Sequence, residues 1–265
     1  MEPDFEKFVF PGVCKIDFEV DAAAIPKDKD IHEVILHAQE LQFTSATLTA
    51  PETTETKADR CSVQWTGEEK TVTLEFSSIN LASLKEFSVE IHYQGVLNNQ
   101  MAGFYRSNYT DIDGNTKVMA STQFESLDAR RCFPCVDEPG TKSSFIASLT
   151  VPSHMTALSN MPVASSTQLS SNKTQYTFLE TPVMSTYLLA FVIGEFDVVT
   201  DFTPTSKIQV SVYTPPGKAE TGKFALQTAL HNLETYNKFF DCPYPLPKCV
   251  RLKPFSWSFL QNDAF

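Results

Sequence analysis

Apolar and polar residues alternate with a period of two in segment after segment of this chain, and that pattern limits its fold more than any other feature. Cys14, Ile16, Phe18 and Val20 alternate with Lys15, Asp17 and Glu19. Val72, Leu74 and Phe76 repeat the pattern, as do Phe87, Val89, Ile91 and Tyr93. Phe145, Ala147, Leu149 and Val151 follow, then Ile208, Val210 and Val212. Successive side chains of a strand point to opposite faces, so each run reads as a strand with one buried face. Tyr187 to Ile193 is apolar throughout and suits a central strand. Many short strands with turn residues between them predict a mostly β architecture of the sandwich or saddle kind. Gly67 marks one expected hairpin, and Asp113-Gly114 marks another between "GFYRSNYT" and "TKVMASTQF". Asp111 and Asp113 lack the later carboxylates of a calcium loop, so a turn is expected there.

The period changes near residue 200. In "KAETGKFALQTALHNLETYNKFF", Leu226, Ala229, Leu230, Leu233, Tyr236 and Phe240 share one helical stripe. Three prolines between 243 and 247 end the helix. The closing stretch "CVRLKPFSWSFLQNDAF" has no clear period and carries four aromatics with no evident element to cover them.

Composition excludes several functions. The net charge of −11 argues against binding a phosphate backbone, which needs clustered Lys and Arg. The opening "MEPDFEKF" lacks a basic region followed by an apolar one, and the longest apolar run is too short for a bilayer. A soluble cytoplasmic protein is therefore expected, with the sequons at Asn108 and Asn172 unused. Cys132 and Cys135 form a single C-x-x-C with Pro134 inside it. A zinc site calls for a second such pair or a His pair at ligand spacing, so two small buried or half-buried thiols are expected instead.

The stretch "IHEVILH" invites comparison with the zinc motif His-Glu-x-x-His. Its histidines, His32 and His37, stand five apart rather than four. On a helix that sets them about 140° apart, beyond the reach of one ion. The β-branched run beside them favours a strand, in which they face opposite ways.

Residues 119 to 145, "MASTQFESLDARRCFPCVDEPGTKSSF", are the most specific stretch. Asp128, Arg130, Arg131, Asp137 and Glu138 can form an ion-pair network that fixes a loop. Read as strand, Gln123 and Glu125 share a face, and their amide oxygen and carboxylate can receive an ammonium group. The same two residues also suit a solvated edge strand.

The string Thr122-Gln123-Phe124-Glu125, Ala129-Arg130, Phe133-Pro134-Cys135, Asp137-Glu138-Pro139 closely resembles the gluzincin aminopeptidases, the family of aminopeptidase N and puromycin-sensitive aminopeptidase. "MAGFYRS", "TYLLAFVIGEFD", "VSVYTPPGK" and "YPLPK" resemble that family in the same order, so that roughly residues 3 to 248 are covered. The resemblance implies a β-saddle amino-terminal domain over residues 1–200. It implies the opening strand and helix of a thermolysin-like catalytic domain over 201–248, and a divergent tail over 249–265. It also implies roles for two residues. Glu125 binds the free α-amino group of a peptide substrate, and Gln123 shapes the pocket for the first side chain. The full-length family carries zinc. The Gly-x-Met-Glu-Asn and His-Glu-x-x-His motifs of that family do not occur in this sequence, so no metal ligand and no catalytic residue is named, and the chain alone is expected to be inactive. A second reading is a β-sandwich interaction module that pairs with a full-length aminopeptidase through its uncovered apolar surface.

Overall fold

The computed structural model describes residues 1–26, 29–51, 55–64 and 70–252. It forms two compact units: Met1–Leu97 with Leu127–Asp137, and Asn98–Ser126 with Glu138–Phe265.

The first unit is built from β1 (Val9–Glu19), β2 (Glu33–His37), β3 (Gln42–Thr49), β4 (Thr56–Lys57), β5 (Arg60–Gln64), β6 (Thr71–Glu75) and β7 (Glu86–Val96). Two antiparallel sheets result, ordered β1-β7-β3-β4 and β2-β6-β5. The expected alternation is present, with Val72, Leu74, Phe76, Val89 and Ile91 fully buried. Two glycines have a specific task here. Phe10 pairs with Gly95 and Gly12 with Tyr93 across the β1–β7 ladder. Each aromatic ring lies over the opposing glycine, and a Cβ on Gly95 would sit 2.2 Å from Phe10 Cζ. Cross-strand neighbours are close enough that only a missing side chain leaves room for the ring. The β5–β6 pairing matches the expected hairpin, whose turn at Gly67 lies outside the described residues.

The second unit contains β8 (Gly103–Thr110), β9 (Thr116–Gln123), β10 (Ser148–Pro152), β11 (Thr156–Ser159), β12 (Val163–Ser170), β13 (Lys173–Phe178), β14 (Phe191–Gly194), β15 (Asp197–Phe202), β16 (Gln209–Thr214), α1 (Lys223–Phe239) and β17 (Lys248–Leu252). Its sheets run β11-β14-β9-β8, β10-β13-β12 and β15-β16-β17. The β8–β9 turn is the expected one. Gly114 takes φ +84°, and Asp111 Oδ1 accepts the backbone N–H groups of Asp113 and Asn115. Only part of the apolar run Tyr187–Ile193 is strand. Thr186–Leu188 is a 3-10 turn, and β14 begins at Phe191. Asn160 explains the difference. Its amide donates to Leu188 O (2.9 Å) and accepts from Ala190 N–H (2.8 Å), so a side chain satisfies groups a ladder would otherwise take.

β16 and β17 are parallel, and α1 is the crossover between them. Leu226, Ala229 and Leu230 bury one stripe of the helix against Val210, Val212 and Cys249. The helix ends where Asp241 turns to φ +46° and Pro243, Pro245 and Pro247 follow. The apolar stripe predicted for this helix packs as far as Leu233 and no further. Tyr236 and Phe240 are 56% and 66% exposed, and Phe239 beside them is 77% exposed. Cys249–Leu252, expected to open the tail, belong to β17. The tail aromatics lie outside the described residues. No helix among the described residues is long and apolar enough to cross a membrane.

Candidate functional site

β9 is an interior strand, held by β8 on one side and β14 on the other. Met119, Ala120, Ser121 and Thr122 are accordingly buried in succession. Thr122 Oγ1 accepts the backbone N–H of Phe191 at 3.1 Å, which ties the end of β9 to the start of β14. The ladder with β8 stops at the Gly103–Gln123 pair, where Gly103 takes φ +69° and the partner strand begins. Gln123 is therefore the last strand residue, and Glu125 lies one residue past Phe124, in a turn.

The sequence places Gln123 and Glu125 on one face of a strand. Half of that stands: Gln123 is in β9, whereas Glu125 is beyond it, because no partner residue continues the ladder. Outward and inward directions still alternate across the break. Gln123 is half-buried, Phe124 is 2% exposed and Glu125 is exposed. Gln123 Nε2 donates to the Glu125 carbonyl at 3.5 Å, the long limit of such a bond. Among the described residues the Glu125 carboxylate takes part in no ion pair and accepts no hydrogen bond. It stands beside the Gln123 amide as an acceptor-only group open to a cationic donor.

The loop over residues 127–137, in the first unit, forms the ion pairs expected of it. Arg130 Nε meets Asp137 Oδ2 at 2.9 Å, and the guanidinium also donates to the Asp137 carbonyl at 3.0 Å. The pair is buried, with Asp137 1% exposed. Arg131 binds Asp128 at 2.7 Å and Glu40 at 2.8 Å. Glu40 is a partner the sequence reading missed, and Glu138 is one it included that forms no such pair among the described residues. The two histidines of "IHEVILH" each have a hydrogen-bond partner distant in sequence. His32 Nδ1 donates to the Ile79 carbonyl at 2.7 Å, and His37 Nδ1 accepts the Asp137 N–H at 3.0 Å. They flank or end a strand, as their spacing requires.

Cys132 and Cys135 are buried and unpaired, and Cys14 lies near them, its thiol donating to the Pro134 carbonyl. Burial pushes all three thiols up in pKa, Cys14 to about 12. A thiol held protonated is a poor nucleophile and a poor metal ligand. Native protein treated with iodoacetamide at pH 8 should therefore modify exposed Cys242 and leave Cys14, Cys132 and Cys135 intact, as read by mass spectrometry. Between the ordinary thiol value of 9.0 and about 12, the folded chain keeps a proton that the unfolded chain has lost. Stability from this burial is complete below pH 9.0 and falls as pH rises through that window. Among the described residues no three His, Cys, Asp or Glu side chains come together as a metal site. Among those residues the zinc implied by the resemblance finds no fitting donor set.

Residues 1–188 match the Peptidase M1 N-terminal domain. Aminopeptidase M1-D of Oryza sativa subsp. japonica is 40% identical over 94% of this chain and 26% of its own length. Puromycin-sensitive aminopeptidase of Caenorhabditis elegans is 37% identical over 99% of this chain and 27% of its own. Alanine/arginine aminopeptidase of Saccharomyces cerevisiae is 37% identical over 99% and 29%. The chain thus spans little more than a quarter of the length of these relatives. The mostly antiparallel fold and a match covering most of the chain lead to one conclusion: this chain belongs to the M1 aminopeptidase family and represents its amino-terminal portion.

Proposed function

We propose that this chain is the substrate-anchoring part of a cytosolic zinc aminopeptidase, and that by itself it binds peptides without cleaving them. The observation that carries the proposal is the open Glu125 carboxylate set beside Gln123 at the end of β9. A peptide's free amino terminus is a compact cation with three N–H donors, and a carboxylate next to an amide oxygen matches it by charge and by hydrogen bonding. Gln123, half-buried, flanks the first side chain. In this reading residues 1–200 form the saddle domain, and β16, α1 and β17 open the domain that follows in the relatives. Peptide hydrolysis by a zinc-bound water needs three protein ligands and a general base, and no such set is present among the described residues. A reducing compartment suits the six free cysteines.

The test is an NMR titration of the chain with a short peptide and with its N-acetylated form. Only the free-amino peptide should shift the Gln123 and Glu125 amides, with a Kd near ~1 mM or weaker because a lone anchoring contact supplies little more than about 4 kcal/mol. A hydrogen bond to a charged group contributes about 1.5–3 kcal/mol, so Glu125→Ala should weaken binding about tenfold or more and erase the preference. Equal binding of both peptides would remove the anchoring role.

A second reading rests on a separate observation. Phe239 and Phe240 meet at 4.9 Å and Tyr236 and Phe240 at 5.9 Å, all three exposed at the end of α1. Clustered exposed aromatics mark interaction surfaces, and a full-length M1 aminopeptidase is the partner proposed. Co-purification that Phe239→Ser abolishes supports this reading; a chain that stays monomeric and leaves such an enzyme unaltered refutes it.

A further inference from the structure

We propose that Phe124 is a positioning residue whose buried ring, rather than the β-ladder, aims the Glu125 carboxylate. The proposal rests on the anchoring role given to Glu125 above and says how that carboxylate is held. Glu125 lies beyond the last paired residue of β9, so the sheet does not direct it. Among the described residues its one hydrogen bond is the 3.5 Å contact that its carbonyl receives from Gln123 Nε2. A neutral bond of that length confers little order.

Phe124 is held differently. It is 2% exposed, and its ring meets Phe191 edge-on, with centroids 6.1 Å apart and planes at 77°. Phe191 in turn meets Phe104 at 5.1 Å and 69°. Both partners are fully buried and sit in the strands that flank β9. An aromatic ring in such a cluster hides about 150–250 Å² and has a preferred angle as well as a preferred place. Backbone parity then acts on its neighbours. With residue 124 pinned inward, residues 123 and 125 are both turned out, although only one of them is in the strand. The ring thus replaces the missing ladder pair.

This can be measured apart from any ligand. Backbone order parameters of Gln123, Glu125 and Ser126 are compared in the wild-type chain, Phe124→Ala, Phe124→Leu and Leu149→Ala. Leu149 is fully buried in a different sheet of the same unit and controls for general loss of packing. The expected result is a fall at Glu125 from about 0.85 to below about 0.6 in Phe124→Ala alone. Phe124→Leu, which refills the space, should keep the wild-type value. If Phe124→Ala does not fold, Phe124→Val serves as the reduced side chain and is read the same way. An unchanged value at Glu125, or an equal fall in Leu149→Ala, overturns the proposal. The peptide titration then separates the two ideas. If the wild-type chain shows no preference for a free amino terminus, the anchoring role fails while the order parameters still decide what Phe124 does. If it shows the preference, Phe124→Ala should reduce it at least fivefold with Leu149→Ala unchanged.

Discussion

Replacing Arg130 by alanine should cost about 3–5 kcal/mol of stability, because it leaves the Asp137 carboxylate buried without its cation. Asp137 is 1% exposed, and Arg130 reaches both its carboxylate and its backbone carbonyl. The double replacement Arg130→Met with Asp137→Leu should be far milder, since it removes both charges together and fills the space with apolar atoms. Urea denaturation of the three proteins measures this directly. Equal losses in the single and double variants would show that the pair is not what stabilises the loop. By contrast, Arg131 lies nearer solvent and shares itself between Asp128 and Glu40. Its replacement should cost only about 1 kcal/mol, in the range of partly exposed pairs.

Phe191→Ala carries the second large effect. The side chain is fully buried and touches both Phe104 and Phe124 edge-on. A Phe to Ala change in such a core costs about 3–5 kcal/mol through lost transfer energy and the cavity left behind. The loss should also reach the candidate site, because the ring removed is the surface against which Phe124 rests. Phe191→Leu, which preserves most of the volume, should lose less than half as much. A thermal melt of each variant, run beside the free-amino peptide titration, gives both readings. If Phe191→Ala folds with wild-type stability, the aromatic cluster is not the anchor described here.

The alternating residues of β1, β6 and β7 needed nothing beyond their own spacing to be read as strands. The Asp113-Gly114 turn was legible for the same reason, since short-range chemistry alone determines it. Other features depend on residues far apart in the chain. The apolar run from Tyr187 is half turn because Asn160, distant in sequence, captures its backbone. The helix stripe ending at Phe240 is exposed at its end because the cluster of Val210, Val212 and Cys249 covers it only as far as Leu233. The site was partly legible. Gln123 and Glu125 are candidates through the motif they sit in, and the alternation across Phe124 was legible through parity. Where β9 ends was not, because that depends on where its neighbour β8 begins. A signal for Phe124 was nonetheless present: one aromatic between two polar residues at the end of an apolar strand is the pattern of a ring turned inward.

The central proposal is that this chain holds the amino terminus of a peptide and supplies no hydrolytic chemistry. The most direct test is to measure the zinc content of the purified chain and its release of amino acids from unblocked peptides, with and without a chelator. The account predicts no stoichiometric zinc and no release above background, with or without added metal. One tightly held zinc per chain, together with amino-acid release that stops on chelation, would contradict it.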